Sequence, residues 1–225
     1  MNWLLWREYR LNRLILVAGT MGILLPHVIL AVETLIYGNH PETFLAWLVS
    51  TLFAEITVAL LAGNAIAGER ADRSAEFIAS LPLPPWRLVA SKLLLALIVF
   101  AAIWGTRLMF STVQPQHEFF GDVGSFPIQV LVVYGASWLF SSIQSSTVIA
   151  TSLGIVTSWT IGGCAGWFTL SKLKEPIKPV ANLHAHYAEN FSEPTFALYA
   201  MFGIPIGIVC FCIGTWFYIR RGSTS

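Results

Sequence analysis

Between Val123 and Ser171 the chain carries no Asp, Glu, Lys or Arg. The hydrocarbon core of a bilayer takes about 20 residues of helix, so this interval is too long for one crossing and suits two. The polar run Ser141 to Thr147 (SSIQSST) supplies the turn between them. In lipid every backbone N–H and C=O must be satisfied within the protein, which leaves helices or closed barrels. Long apolar runs without a two-residue alternation select helices. Composition extends this to the rest of the chain, which is 56% hydrophobic and only 11% charged, against about 25% charged in soluble domains. The sequence therefore predicts an all-α integral membrane protein. A net charge of +1, with no basic patch beyond the membrane flanks, speaks against a nucleic-acid partner.

The apolar runs predict six spans, at about 14–37, 44–67, 88–113, 127–146, 148–170 and 195–219, with no soluble domain. Pro26 falls in the middle of the first span and is a candidate kink. The first 13 residues, MNWLLWREYRLNR, alternate apolar and basic side chains at helical spacing. Trp3, Trp6 and Tyr9 suit the interface and Arg7, Arg10 and Arg13 suit anionic headgroups. They read as an interfacial helix that turns into span 1, or as a plain extension of that span. The apolar run that follows exceeds a signal-peptide core and has no small-residue cleavage pattern, so it is expected to stay as an anchor.

Basic residues set the expected orientation. With both termini inside, one side holds Arg7, Arg10, Arg13, Arg70, Arg73, Arg87, Lys92, Arg220 and Arg221, against Arg107, Lys172, Lys174 and Lys178 on the other. Both ends are expected in the cytoplasm.

Gly68 to Lys92 is the strongly polar interval inside this apolar chain. Glu69, Asp72, Arg73 and Glu76 fall at i, i+3, i+4 and i+7, one charged stripe of a helix, with Phe77 and Ile78 on the other side. Glu69 and Arg73 can pair at i+4. Pro82 ends that helix near Leu81, Pro84 and Pro85 make a stiff corner, and Lys92 is expected to snorkel from the first turns of span 3. The expectation is a short cytoplasmic helix over Glu69 to Leu81. A solvated loop with ordinary membrane-flanking charges accounts for the same residues.

This interval resembles the coupling region of the membrane subunits of type-2 ABC transporters, the exporter-like ABC permeases. The resemblance rests on Glu69-Arg70, Ser74, Glu76, Phe77-Ile78, Ser80-Leu81-Pro82, Arg87 and Lys92, together with the six-span order and the early basic helix. The chain departs from the pattern at Arg73 and Ala75, where the family often has Gly and a larger apolar residue. The resemblance implies an ATPase-docking surface at Glu69, Arg70, Asp72, Arg73, Glu76, Phe77, Pro82 and Arg87. It also implies a separate ATPase subunit that binds ATP and Mg, a second permease copy (identical or a paralogue), and the cytoplasmic membrane of a bacterium. The expected function is ATP-driven export of a hydrophobic or amphipathic substrate. No G-x-x-x-x-G-K-[ST] loop is present, so no cofactor is expected on this chain and the motor must come in trans.

Other candidates are polar groups inside spans. Glu55 lies near the middle of span 2, where an acid costs about 2.5–3.5 kcal/mol to insert, so it should face the interior and find a partner. Glu55, Asn64, Glu33 and Arg107 are candidates for a translocation path or for interhelix contacts, with a Glu33–Arg107 pair as the expected structural use. His27 is a further polar group of span 1. His184 and His186 form an H-x-H near Glu175, Glu189 and Glu193, without a third ligand fixed by spacing. Cys164, Cys210 and Cys212 lie in apolar runs and read as packing residues. Gly135-Ala136-Ser137-Trp138 lacks the glycine of an intramembrane serine protease motif, and spans 4 to 6 offer no histidine base. An enzyme is therefore not expected. A motor-independent channel or an assembly subunit is the alternative.

Overall fold

The computed structural model describes residues 2–37, 43–71, 84–113, 125–172 and 183–222. They form six helices: α1 (Asn2–Tyr37), α2 (Thr43–Ala71), α3 (Pro85–Val113), α4 (Ser125–Ile143), α5 (Thr147–Lys172) and α6 (Leu183–Gly222). All six contain a window long and apolar enough to cross a bilayer. The protein is an all-α, multi-pass integral membrane protein.

Packing centres on α4, which lies chiefly against α6, α5 and α2, while α2 also holds α1. The interior of this bundle is small and the exterior large. Ala54, Ala59, Ala62 and Ala67 of α2 and Ser137, Ser141 and Ser142 of α4 are buried, whereas Leu14, Met21, Leu35, Met109 and Val148 are exposed. That inversion follows from the solvent: lipid tails are as apolar as Leu, so helices associate by close backbone approach, which small residues permit. Gly203 and Gly207 on α6, a G-x-x-x-G pair, form one such approach. A Cβ on Gly203 would lie 3.1 Å from the side chains of Ile128 and Val132, and one on Gly207 would lie 3.0 Å from the Leu131 carbonyl oxygen. A Cβ on Gly135 of α4 would overlap the Gly207 carbonyl oxygen. The same interface buries an aromatic group in which Trp138 lies 5.9 Å from Tyr134 and 5.3 Å from Phe211, ring centre to ring centre.

The helix boundaries refine the sequence expectations. Of the two readings of the first 13 residues, the plain extension of span 1 agrees with α1, which runs unbroken for 36 residues, through Pro26, because nothing between Arg13 and Leu14 stops a helix. Span 2 continues past Ala67 to Ala71, which puts Glu69 and Arg70 inside α2 rather than on a short helix of their own. The remaining residues of the expected docking helix, Asp72, Arg73, Glu76, Phe77 and Pro82, lie outside the described residues. Finally, α6 begins at Leu183, ahead of the span expected from about Thr195, whose apolar window runs Tyr199–Arg220. From Leu183 to Phe202 there is no glycine, and Ala185 and Ala188 favour helix, so Pro194 alone does not end it. The turn between α4 and α5 falls at residues 144–146, within the predicted SSIQSST run.

Candidate functional site

Two buried polar layers interrupt the apolar bundle, one at an end and one within it. The end layer starts from Glu8 on α1. Leu4, Glu8 and Asn12 repeat every four residues and face inward, all buried, while Trp3, Trp6 and Tyr9 face out. Lys92 of α3 donates to both Glu8 oxygens, Oε2 at 3.2 Å and Oε1 at 3.3 Å, and to Glu69 Oε1 of α2 at 2.8 Å. Arg7 donates to Glu69 Oε1 at 3.2 Å and to Glu8 Oε1 at 3.3 Å. The Tyr218 hydroxyl of α6 reaches Glu69 Oε2 at 3.5 Å. The side chains of Glu8, Glu69 and Lys92 are only 3%, 5% and 3% exposed. Two carboxylates thus meet two cations, and four helices are tied at one point.

Neighbouring groups extend the layer. Asn64 donates to Asn12 Oδ1 at 2.9 Å, and Asn12 donates to the Glu8 carbonyl at 2.9 Å. A cavity about the size of one water lies against Glu8, Asn12, Lys92 and Tyr134. Arg70 donates to the Ser142 carbonyl at 2.7 Å and the Gln144 carbonyl at 3.4 Å, fastening the end of α2 to the turn after α4. One turn earlier, the Ser141 hydroxyl donates to the Gly63 carbonyl at 2.8 Å and accepts from the Ala67 N–H at 2.9 Å. A side chain of α4 thereby enters the hydrogen-bond ladder of α2, a recognised site for a helix to bend.

The inner layer lies about 21 Å along α2 from Glu69, at 1.5 Å per residue. Glu55, 1% exposed, accepts a hydrogen bond from Trp159 Nε1 of α5 at 2.8 Å and another from Gln129 Nε2 of α4. Arg107 of α3 is buried and donates to Thr51 Oγ1 at 2.6 Å, one turn before Glu55. Its guanidinium lies 4.3 Å from the Phe126 ring centre and 5.2 Å from that of Trp47, a cation–π arrangement that offsets part of its desolvation. His27 meets the edge of Trp47 at 5.5 Å. Trp159→Phe should lower stability by about 1 kcal/mol, as expected for one intramembrane hydrogen bond. In a Glu55→Leu background the same change should have almost no effect; equal losses in both backgrounds, by thermal unfolding in detergent, would rule out the pair.

The two layers revise several residue-level expectations. Lys92 does not snorkel: with two carboxylates within 3.3 Å, its ammonium is held inside. Glu69 turns inward to Lys92 and Arg7. Asn64 makes an interhelix contact, to Asn12 in the end layer. Glu33 is exposed, and the expected Glu33–Arg107 ion pair is not formed, because Arg107 turns to Thr51 across the bundle. Arg87 is exposed and lies over Trp86, 5.5 Å from its ring centre. The side chains of His184 and His186 lie outside the described residues. Among the described residues no group of three His, Cys, Asp or Glu could hold a metal ion, and Cys164, Cys210 and Cys212 are unbridged.

Comparison of the chain with known proteins finds no matching family model, no similar curated protein and no similar solved structure.

Proposed function

We propose that this chain is the membrane subunit of an ATP-driven transporter of the type-2 ABC class. The observation that carries the reading is the ion network of Arg7, Glu8, Glu69 and Lys92. It joins the last turn of α2 to the second turn of α3, and so ties both ends of the 72–84 interval to α1 and, through Tyr218, to α6. A force applied to that interval would reach four helices together, which is what rigid-body coupling to a motor requires. The docking surface then consists of Asp72, Arg73, Glu76, Phe77 and Pro82, with Arg87 beside it, while Glu69 anchors the interval from within. This end of the bundle faces the cytoplasm of a bacterium.

The ATPase, with its ATP and Mg, is a separate subunit, and the chain itself is not an enzyme. A second permease copy completes the path. Glu55, Gln129 and Arg107 supply polar groups in mid-membrane, where a hydrophobic or amphipathic substrate with a polar head would need them. The test is reconstitution with the cognate ATPase in vesicles. Deleting residues 72–81 should leave the six helices folded and abolish ATP-dependent transport; full transport by the deletion variant would overturn the reading.

A further inference from the structure

The outward face of α1 carries a groove that the end layer does not use. Trp3, Trp6, Arg7, Arg10, Leu11 and Arg13 line it. Arg7 is already engaged with Glu8 and Glu69, but Arg10 and Arg13 are exposed and, among the described residues, meet no carboxylate. The acid of this segment, Glu8, points the other way into the bundle. The groove therefore holds uncompensated positive charge beside two exposed indoles.

Its depth in the membrane follows from helix length. At 1.5 Å per residue, α1 is about 54 Å long, against about 30 Å of hydrocarbon. The uncharged run that follows Arg13 fills the hydrocarbon, which leaves residues 3–13 in the headgroup layer. Trp86 with Arg87 on α3 and Trp216 with Arg220 on α6 mark the same level, since the Lys92 and Tyr218 contacts bring those helix ends beside Glu8 and Glu69. Indoles favour that layer, and guanidinium groups pair with phosphate in a planar, two-pronged geometry.

We propose that this groove binds the phosphodiester headgroup of an anionic phospholipid. Arg10 and Arg13 take the phosphate at the edge of the hydrocarbon, while Trp3 and Trp6, two turns farther out on the same helix, line the outer polar part of the headgroup. The site is distinct from the interval assigned to the motor and does not depend on the identity of any transported substrate.

Native mass spectrometry of the full chain in detergent, titrated with phosphatidylglycerol or phosphatidylcholine, tests it. Wild type should bind the first phosphatidylglycerol at least about 10-fold more tightly than phosphatidylcholine. Arg10→Gln with Arg13→Gln should weaken phosphatidylglycerol about 30-fold, from the usual strength of a basic residue at an anionic surface, and leave phosphatidylcholine unchanged. Arg87→Gln removes a charge outside the groove and should weaken phosphatidylglycerol by no more than about 5-fold, the general effect of one surface charge. Equal binding of the two lipids, an unaffected double variant, or an equal loss in Arg87→Gln would each overturn the site. So would displacement of the lipid by millimolar inorganic phosphate. A wild-type measurement stands beside these: an equimolar mixture of phosphatidylglycerol and phosphatidylcholine should give mainly phosphatidylglycerol adducts, and equal adducts would refute the proposal even if the variants failed to fold.

Discussion

Lys92→Met is expected to lower the stability of the bundle by about 3–5 kcal/mol, the loss typical when one partner of a buried ion pair is removed. The reason is local. Glu8 and Glu69 both lie within 3.3 Å of the Lys92 ammonium and are almost wholly buried. Without Lys92, both carboxylates still meet Arg7, whose side chain is 18% exposed, but lose the buried cation that bridges them. The intact network itself adds little over an apolar core of the same shape, since desolvation offsets most of the attraction. Its effect lies in the penalty for breaking it. Adding Glu69→Gln to Lys92→Met restores one acid to one base and should recover part of the loss, with a coupling of about 0.5–3 kcal/mol between the two changes. Unfolding midpoints in detergent measure both. A Lys92→Met protein within about 0.5 kcal/mol of wild type, the usual range for surface changes, would show that the layer is solvated.

Gly135→Ala is expected to be strongly destabilising for a change of one methyl group. The new Cβ would overlap the carbonyl oxygen of Gly207, a backbone atom of α6 that has no rotamer by which to retreat. Because α4 and α6 share the most extensive helix interface, the two must separate along it. Overpacking of a tight core costs about 1–3 kcal/mol, and a backbone clash belongs at the upper end. Gly105→Ala on α3 is the matched control, since its Cβ would meet nothing within 4 Å. There the change should be neutral or stabilise the helix by up to about 1 kcal/mol. Size-exclusion profiles and thermal unfolding of both variants decide the matter; equal behaviour would contradict the close approach of α4 and α6.

Much of the architecture was legible in the sequence because lipid makes hydrophobic length a direct readout of span number. The uncharged run from Val123 to Ser171 and the turn within SSIQSST illustrate this. Helix ends were less legible. Glu69 looks like the start of a polar loop, yet it continues α2, because its charge is satisfied by residues on three other helices that no local pattern reveals. The same blindness hid Glu8, which reads as a minor exception in a basic segment. Its spacing from Leu4 and Asn12 is the signal that distinguishes an inward face. Gln129 and Trp159 could not be paired with Glu55 from the sequence, since they lie on helices whose neighbours are set by packing. The Gly203–Gly207 spacing was available and marks the α4–α6 contact.

The end layer also has a consequence for biosynthesis. Glu8 and Lys92 are 84 residues apart in the chain, and Glu69 and Tyr218 are 149 apart. A nascent chain that has produced only α1 and α2 carries two acids and one nearby arginine, and the set is completed only when the last helix arrives. Insertion and final closure are therefore separate events. A chain truncated before α3 would leave Glu8 and Glu69 without their lysine, so its α1–α2 pair should be held less firmly than in the full chain.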